Sequence, residues 1–112
     1  MESKLKSPRC PVSEAMSVIG GKWKIPIIFN LSQGTHRFGE LRKALGTVTQ
    51  QMLSKQLKEL EAYNLVDRKV YPEVPPRVEY SLTERGLSVL PVIHTIHNWA
   101  TEELVSSEAP VD

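Results

Sequence analysis

The chain has 112 residues, a formal net charge of +1 and one cysteine, with 40% hydrophobic and 24% charged residues. This length predicts one domain, and the composition is ordinary for a globular protein. The longest apolar run, residues 25–29, is far shorter than the roughly 20 residues of a membrane-spanning helix, and no apolar segment follows the charged N-terminus. We therefore expect neither a membrane span nor a signal peptide. One cysteine excludes an intramolecular disulfide and favours the cytoplasm.

The charges are unevenly distributed along the chain. Residues 37–58 carry five basic residues against Glu40 alone, a local net charge of +4. Residues 102–112 carry four acidic residues and no basic residue, a local net charge of −4. Because attraction to phosphate depends on local charge, the near-neutral total does not argue against a nucleic-acid partner.

The N-terminal part predicts a polar arm and two helices. Residues 1–11 are polar and contain two prolines, so we expect an arm there. Helical spacing of apolar residues predicts a short helix over residues 12–19, ended by Gly20 and Gly21. Residues 22–32 predict a helix that is apolar on most sides and belongs in the core. Its apolar residues are Trp23, Ile25, Ile27, Ile28, Phe29 and Leu31.

Next, the sequence predicts an extended link, a short helix and a turn. The link covers residues 35–38, and Gly39 is the expected N-cap of a helix over residues 40–45. The turn follows at residues 46–48.

A longer helix is predicted over residues 49–63. Thr49 is a favourable N-cap, and Asn64 tolerates the left-handed backbone that ends helices. Three leucines at helical spacing should face inward: Leu53, Leu57 and Leu60.

Two strands and a final helix complete the prediction. Residues 66–71 and 78–82 alternate with period two and flank a proline-rich loop. Thr83 is the expected N-cap of one final helix, which has more apolar surface than a single contact stripe needs. Residues 106–112 predict a disordered acidic tail.

Together these elements predict an α+β fold, mainly α. It is a winged helix-turn-helix with a wing of two or three β-strands and with N- and C-terminal dimerisation helices, covering residues 12–105 between the arm and the tail. Such a fold places its second helix in the major groove of DNA while the wing reaches the backbone or minor groove.

The polar side of the helix over residues 49–63 offers chemistry for reading bases. Glutamine can form two hydrogen bonds with adenine, and threonine and serine bind base edges or phosphates. The candidates are Thr49, Gln50, Gln51, Ser54, Lys55 and Lys58. An ordinary solvated helix face would have a similar composition, but the turn and the wing favour recognition.

Other basic residues are candidates for contacts that position the protein on phosphates. They are Arg37, Arg42, Lys43, Arg68 and Lys69. Arg37 could instead be the partner of a nearby carboxylate, and the two wing residues could pair with Glu73 or Glu79.

Arg77 is a candidate for the minor groove. It follows two prolines, which limit the freedom of the loop, and arginine suits the negative potential of a narrow groove. The alternative is an exposed loop arginine.

Cys10 is a candidate sensor. Arg9 lies beside it and a predicted helix begins just after it, and both features lower the pKa of a thiol. The alternative is a packed, inert thiol. His94 and His97 share a helix face, but two ligands are too few for a zinc site. We find no catalytic arrangement and no phosphate-binding glycine loop. We therefore predict that the protein is not an enzyme and that it binds no cofactor or metal.

Several motifs occur in the order and spacing of a known family. They are Cys10-Pro11-Val12, Gly20-Gly21-Lys22-Trp23, Arg37-Phe38-Gly39-Glu40-Leu41, the segments at 53–61 and 75–83, and Trp99. Over residues 10–100 the chain resembles the HxlR-type winged helix-turn-helix regulators of the MarR-like superfamily. It departs at Asn64, where such proteins commonly have glycine.

The resemblance implies a bacterial or archaeal DNA-binding transcription regulator that forms a homodimer through its N- and C-terminal helices. The expected interface residues are Val12, Met16, Leu90, Ile93, Ile96, His97 and Ala100. It also implies that a lone N-terminal cysteine, here Cys10, can sense oxidants or electrophiles.

We therefore predict a sequence-specific, cytoplasmic regulator that binds a pseudo-palindromic operator in double-stranded DNA and responds to a thiol-reactive signal or a small ligand. The alternative is a winged-helix module that binds protein and not DNA, which would favour an apolar or acidic face on the helix over residues 49–63. The operator, the target genes, the effector and the sign of regulation do not follow from the sequence.

Overall fold

The computed structural model describes residues 10–105, and the predicted fold class is confirmed. The helices are α1 (Pro11–Ile19), α2 (Lys24–Ser32), α3 (Phe38–Leu45), α4 (Gln50–Ala62), α5 (Glu84–Leu87) and α6 (Leu90–Ala100), followed by a π-helical turn, Thr101–Val105. The strands are β1 (His36–Arg37), β2 (Val66–Tyr71) and β3 (Arg77–Leu82). The first nine residues of the expected arm and the expected tail lie outside the described residues, and α1 begins at Pro11.

The three strands form one antiparallel sheet in the order β1-β3-β2. The wing hairpin pairs Val66 with Leu82 at its base and Tyr71 with Arg77 at its tip. The expected extended link is an edge strand, because His36 pairs with Tyr80. The sequence predicted a wing of two or three strands, and the sheet has three.

Helix α2 lies at the centre of the fold and contacts α3, α4, α6 and β3. Its buried apolar residues Ile27, Ile28 and Leu31 belong to the main core cluster. The three leucines of α4 belong to the same cluster, which confirms their inward direction. Phe29 was expected in the core but is 53% exposed, because it lines an open groove between α2 and α6.

Helix α3 begins earlier than predicted, and Gly39 is not its N-cap. The N-cap is Arg37, whose backbone N–H donates to Glu40 Oε1 at 2.8 Å. Strand β1 ends at this same residue, so the chain passes directly from strand to helix and the carboxylate of Glu40 satisfies the first free N–H.

Both predicted signals at the ends of α4 are confirmed. Thr49 Oγ1 accepts a hydrogen bond from the Met52 N–H at 3.1 Å. Asn64 has a φ of 63°, and the Leu65 N–H donates to the Leu60 carbonyl at 2.9 Å. This pattern is a Schellman ending, which turns the chain from the helix into β2.

The prediction of a single helix after Thr83 is wrong, because this segment forms two helices. Thr83 Oγ1 does cap the first, α5, by accepting from the Gly86 N–H at 2.9 Å. The chain then turns at Ser88 and Val89 before α6 begins. Pro91 lies in the first turn of α6, where its missing N–H is tolerated, whereas in a continuous helix it would leave one bond unmade.

Gly86 permits a close approach between α5 and the start of the wing. A Cβ atom there would lie 2.2 Å from the Leu65 carbonyl oxygen, which belongs to the backbone and cannot move aside alone. The same oxygen accepts from the Thr83 N–H at 3.1 Å. A side chain at position 86 would therefore separate α5 from the wing.

We expect Gly86→Ala to lower the free energy of unfolding by about 1–3 kcal/mol, as overpacking does. Gly39→Ala is the matched control, because that glycine is helical and a Cβ there meets nothing within 4 Å. The control should raise stability by about 0.5–1 kcal/mol. Urea unfolding of both variants measures the difference, and equal effects would contradict this account of Gly86.

Candidate DNA-binding surface

One face of α4 is exposed beside the buried leucine stripe, and its polar residues lie together. They line a shallow concavity formed by Gln50, Gln51, Ser54, Lys55, Lys58 and Glu59. The two glutamines and the two lysines are exposed, whereas Ser54 and Glu59 are half-buried. The structure thus brings together five of the six side chains that the sequence singled out on this helix, at its solvent-facing side.

Thr49, the sixth, lies at the N-cap of α4 and has a structural task. Its hydroxyl oxygen accepts the Met52 N–H, so the hydroxyl proton and one lone pair remain for other partners. The cap fixes the N-terminal turn of α4, and this turn carries Gln50 and Gln51.

Arg37, Arg42 and Lys43 are exposed at the start and along α3. Arg42 Nε donates to the Val48 carbonyl at 3.3 Å, across the turn that joins α3 to α4. Arg42 therefore also stabilises the angle between the two helices, whereas Lys43 is exposed in the last turn of α3.

An ion pair that the sequence did not suggest joins the core to this surface. Lys24, in the first turn of α2, is buried, and its Nζ lies 2.5 Å from Glu59 Oε1. The Lys24 side chain is 8% exposed and that of Glu59 40%. The hydrogen bond from Lys24 lowers the pKa of Glu59, against an opposing effect of burial. The only sequence signal was a lysine inside an otherwise apolar helix.

The wing places its basic residues differently from the prediction. Glu73 and Glu79, considered as partners of Arg68 and Lys69, both bind Arg77. Lys69 Nζ lies 5.2 Å from the centre of the Tyr71 ring, and Arg68 is exposed. Arg77 is thus neither a free loop arginine nor an unpaired cation.

Cys10 lies at the N-terminus of α1, and only 4% of its surface is exposed. Its carbonyl accepts the Glu14 N–H at 2.8 Å. The backbone N–H of Ser13 faces the sulfur and lowers the pKa of the thiol, although burial acts in the opposite direction. The helix start therefore favours the thiolate, as predicted, while burial limits access to it. Arg9, the expected cationic neighbour, lies outside the described residues.

The expected dimer residues divide into two groups. The first group is exposed and consists of Val12 and Met16 on α1 and Ile96 on α6. His97, the neighbour of Ile96 in sequence, is also exposed. Leu90 and Ile93 pack partly against the protomer's own core, and Ala100 is half-buried.

A groove of about 490 Å³ lies between α2 and α6. Its lining residues are Ile25, Pro26, Phe29, Ser32, Gln33, Leu90, Ile93, His94 and His97. Within residues 10–105, no three histidine, cysteine or carboxylate side chains come together as a metal site would require. In the same part of the chain, no helix has the length and apolar character to cross a membrane.

The model of the HxlR-like helix-turn-helix family matches residues 18–108. The chain belongs to this family. It is 48% identical over 93 residues to the HTH-type transcriptional regulator BH0655 of Halalkalibacterium halodurans, a match that covers 82% of each chain.

Solved structures of similar sequence agree with this assignment. The oxidised form of the redox regulator HypR is 45% identical, with a TM-score of 0.77 over 84% of this chain and 97% of that one. The reduced form of the transcriptional regulator YodB from Bacillus subtilis is 38% identical, with a TM-score of 0.77 over 85% and 94%. The resemblance inferred from the motifs is confirmed, and the chain is a DNA-binding transcription regulator of the HxlR type.

The Lys24–Glu59 pair generates a prediction about pH and stability. The pKa of Glu59 is lower in the folded protein, so the pair stabilises the fold above the unfolded pKa of about 4.3 and loses this contribution as pH falls through the folded pKa. Glu59→Gln should therefore lower the melting temperature at pH 7, and its deficit should shrink in acid.

Lys24→Met provides the control background, because it replaces the buried cation with an apolar chain of similar length. In that background Glu59→Gln should cause no pH-dependent deficit. Thermal unfolding from pH 3 to 7 compares the four proteins. A deficit that is the same at every pH, or that persists without Lys24, would refute the role of the pair.

Proposed function

We propose that this HxlR-like regulator binds a pseudo-palindromic DNA site as a homodimer, with α4 of each protomer in the major groove. The observation that carries the proposal is the exposed face of α4, where Gln50, Gln51, Lys55 and Lys58 line one concavity. Helix-turn-helix proteins read bases with residues near the N-terminus of the second helix. Both glutamines occupy that position.

The remaining candidates have positioning roles in this proposal. Three of them lie on α3 or at its N-cap: Arg37, Arg42 and Lys43. Arg68 and Lys69 lie on the wing. In this proposal both groups contact phosphates on either side of the groove. A cytoplasmic location follows from the same proposal, because the DNA of a bacterium or archaeon lies there.

Selection of duplexes from a random pool, followed by sequencing, tests this function. We expect enrichment of an inverted repeat whose half-site centres are about 10 base pairs apart or a multiple of that distance. A pool that remains random after repeated selection would exclude sequence-specific binding.

Separate roles for base and phosphate contacts give the first prediction about binding. Gln51→Ala should reduce discrimination between the selected duplex and a scrambled one, by about 1–3 kcal/mol for a bidentate contact. Lys43→Ala should weaken binding to both duplexes alike and flatten the salt dependence. Fluorescence anisotropy at several salt concentrations distinguishes them, and identical behaviour of the two variants would refute the assignment.

The homodimer is supported by apolar side chains that the protomer leaves uncovered. Ile19 is the one buried residue of α1, whereas Val12 and Met16 are 67% and 53% exposed. Ile96 and Trp99 of α6 are also exposed. Exposed apolar side chains of this number on two terminal helices are typical of an interaction surface, and a two-fold symmetric protein matches a palindromic site.

Light scattering should therefore give twice the chain mass of 12.6 kDa at micromolar concentration. Met16→Glu should shift the protein towards the monomer, because it buries a charge in the proposed interface. Ser17→Glu, an exposed polar position on the same helix, is the control and should remain dimeric. A monomeric wild type would refute the dimer.

We also propose that Cys10 makes the regulator responsive to thiol-reactive compounds. The cysteine is the single thiol of the chain, and the start of α1 favours its thiolate. HypR is described as a redox regulator with an oxidised form, and YodB as a transcriptional regulator with a reduced form. Oxidation of two Cys10 thiols to an intermolecular disulfide would alter the proposed dimer and the spacing of its two α4 helices.

Diamide, which oxidises two thiols to a disulfide and is itself reduced to the hydrazine, should therefore change the DNA affinity of the wild type. Dithiothreitol should restore it. Cys10→Ser provides the control and should respond to neither reagent. An equal response of both proteins, or none in the wild type, would show that Cys10 is structural.

A further inference from the structure

The tip of the wing is organised around Arg77. Its guanidinium carbon lies 3.9 Å from the centre of the Tyr71 ring, a stacked arrangement. Nη1 donates to Glu79 Oε2 at 3.1 Å, and Nη2 donates to Glu73 Oε2 at 3.0 Å. Nε is buried and has no hydrogen-bond partner among the described residues. The inner edge of the guanidinium is thus enclosed, and its two outer nitrogens bind carboxylates.

The wing as a whole carries no net charge. Residues 66–82 contain three acidic and three basic side chains, in contrast to the net +4 of residues 37–58. Long-range attraction to phosphate therefore comes from the helix-turn-helix and not from the wing. Each outer nitrogen has a second N–H group, so DNA can approach Arg77, but it must compete with the two carboxylates for the charge of the guanidinium.

The two carboxylates hold Arg77 with unequal strength. The side chain of Glu79 is 23% exposed and lies on β3, two residues from Arg77 on the same face of the hairpin. The side chain of Glu73 is 52% exposed and lies in the loop. Because solvent screens an exposed pair more strongly, the bond to Glu73 is the easier one to exchange. Tyr71 and Glu79 would keep the guanidinium in place while Nη2 changes its partner.

We propose that Glu73 is a specificity-determining residue that competes with DNA for Nη2 of Arg77. On DNA without a suitable groove, the carboxylate keeps this nitrogen. Where the minor groove is narrow and its potential strongly negative, DNA displaces the carboxylate. Displacing Glu73 costs the same free energy on every DNA sequence, whereas only a few sequences offer a groove that compensates for this cost. The competition therefore lowers affinity for nonspecific DNA more than affinity for specific DNA. This inference rests on the DNA-binding function proposed above.

Glu73→Gln tests the proposal, because it keeps the size of the side chain and removes its charge. The probes are a duplex selected from the random pool and a scrambled duplex of the same composition. We expect affinity for the scrambled duplex to rise about two- to fivefold, the factor that an exposed ion pair can withhold. Its salt dependence should steepen by up to about 0.9 in the log–log slope, the value of one added phosphate contact. Affinity for the selected duplex should rise less.

Two further proteins show whether the effect passes through Arg77. Glu61→Gln makes the same change of charge at the end of α4 and measures the effect of net charge alone. Glu73→Gln in an Arg77→Gln background removes the nitrogen for which Glu73 competes. The gain should exceed that of Glu61→Gln and should vanish in the Arg77→Gln background. Thermal unfolding checks that all variants remain folded.

Three results would overturn the proposal. Glu73→Gln could leave the ratio of the two affinities unchanged, or its gain could persist without Arg77. It could also weaken binding to the selected duplex, which would show that Glu73 presents Arg77 to DNA and does not compete for it. Each result leaves the proposed function intact if the wild type still prefers the selected duplex. A wild type without any preference would refute the proposed function and, with it, this inference.

Discussion

The packing of α4 against α2 is the interaction on which the proposed DNA-binding surface depends. Leu53, Leu57 and Leu60 are almost fully buried in one cluster with the apolar residues of α2. A helix has one rotation about its axis, so burying this stripe turns the glutamines and lysines on the other side towards solvent. Core packing and the exposure of the proposed DNA-binding face are two consequences of a single orientation. The Lys24–Glu59 pair adds a polar link to the same contact, and a link of fixed geometry resists sliding or rotation of α4.

Charge is distributed unevenly over two parts of the fold, and under the proposal above this division separates affinity from specificity. The helix-turn-helix has the surplus of basic residues that attracts any phosphate backbone. The wing has no such surplus, because its three basic residues are matched by three acidic ones, and two of these bind Arg77. A regulator that searches a genome must prefer its own site over many competing sites. In the proposal above, the helix-turn-helix attracts any DNA, whereas the wing binds only DNA with a suitable groove. The stiff, proline-containing loop that carries Glu73 limits the entropy lost when the wing meets DNA.

Local signals predicted most of the fold, and contacts between distant residues explain the errors. Thr49 and Asn64 define the ends of α4 through bonds to residues three or four positions away, so the sequence shows them directly. The sequence also showed which side of α4 is polar. Lys24 was missed because its partner is 35 residues away. The pairing of Arg77 depends on the hairpin register, which places Tyr71 opposite it. The break before α6 was missed because apolar spacing continues across it, although Pro91 was the available signal.

Helix α1 connects the proposed sensor with the proposed dimer. It follows Cys10, exposes Val12 and Met16, and packs Ile19 and, in part, Val18 against its own protomer. A helix with so few buried residues of its own depends on a partner for its position, and modification of the buried Cys10 at its N-cap would disturb that position. Chemical modification of Cys10 would therefore act on the arrangement of two protomers before it acts on either winged helix. In the proposed dimer, α4 is fixed inside each protomer by its leucine stripe and by Lys24, so the distance between the two α4 helices is the quantity that a signal at α1 would change.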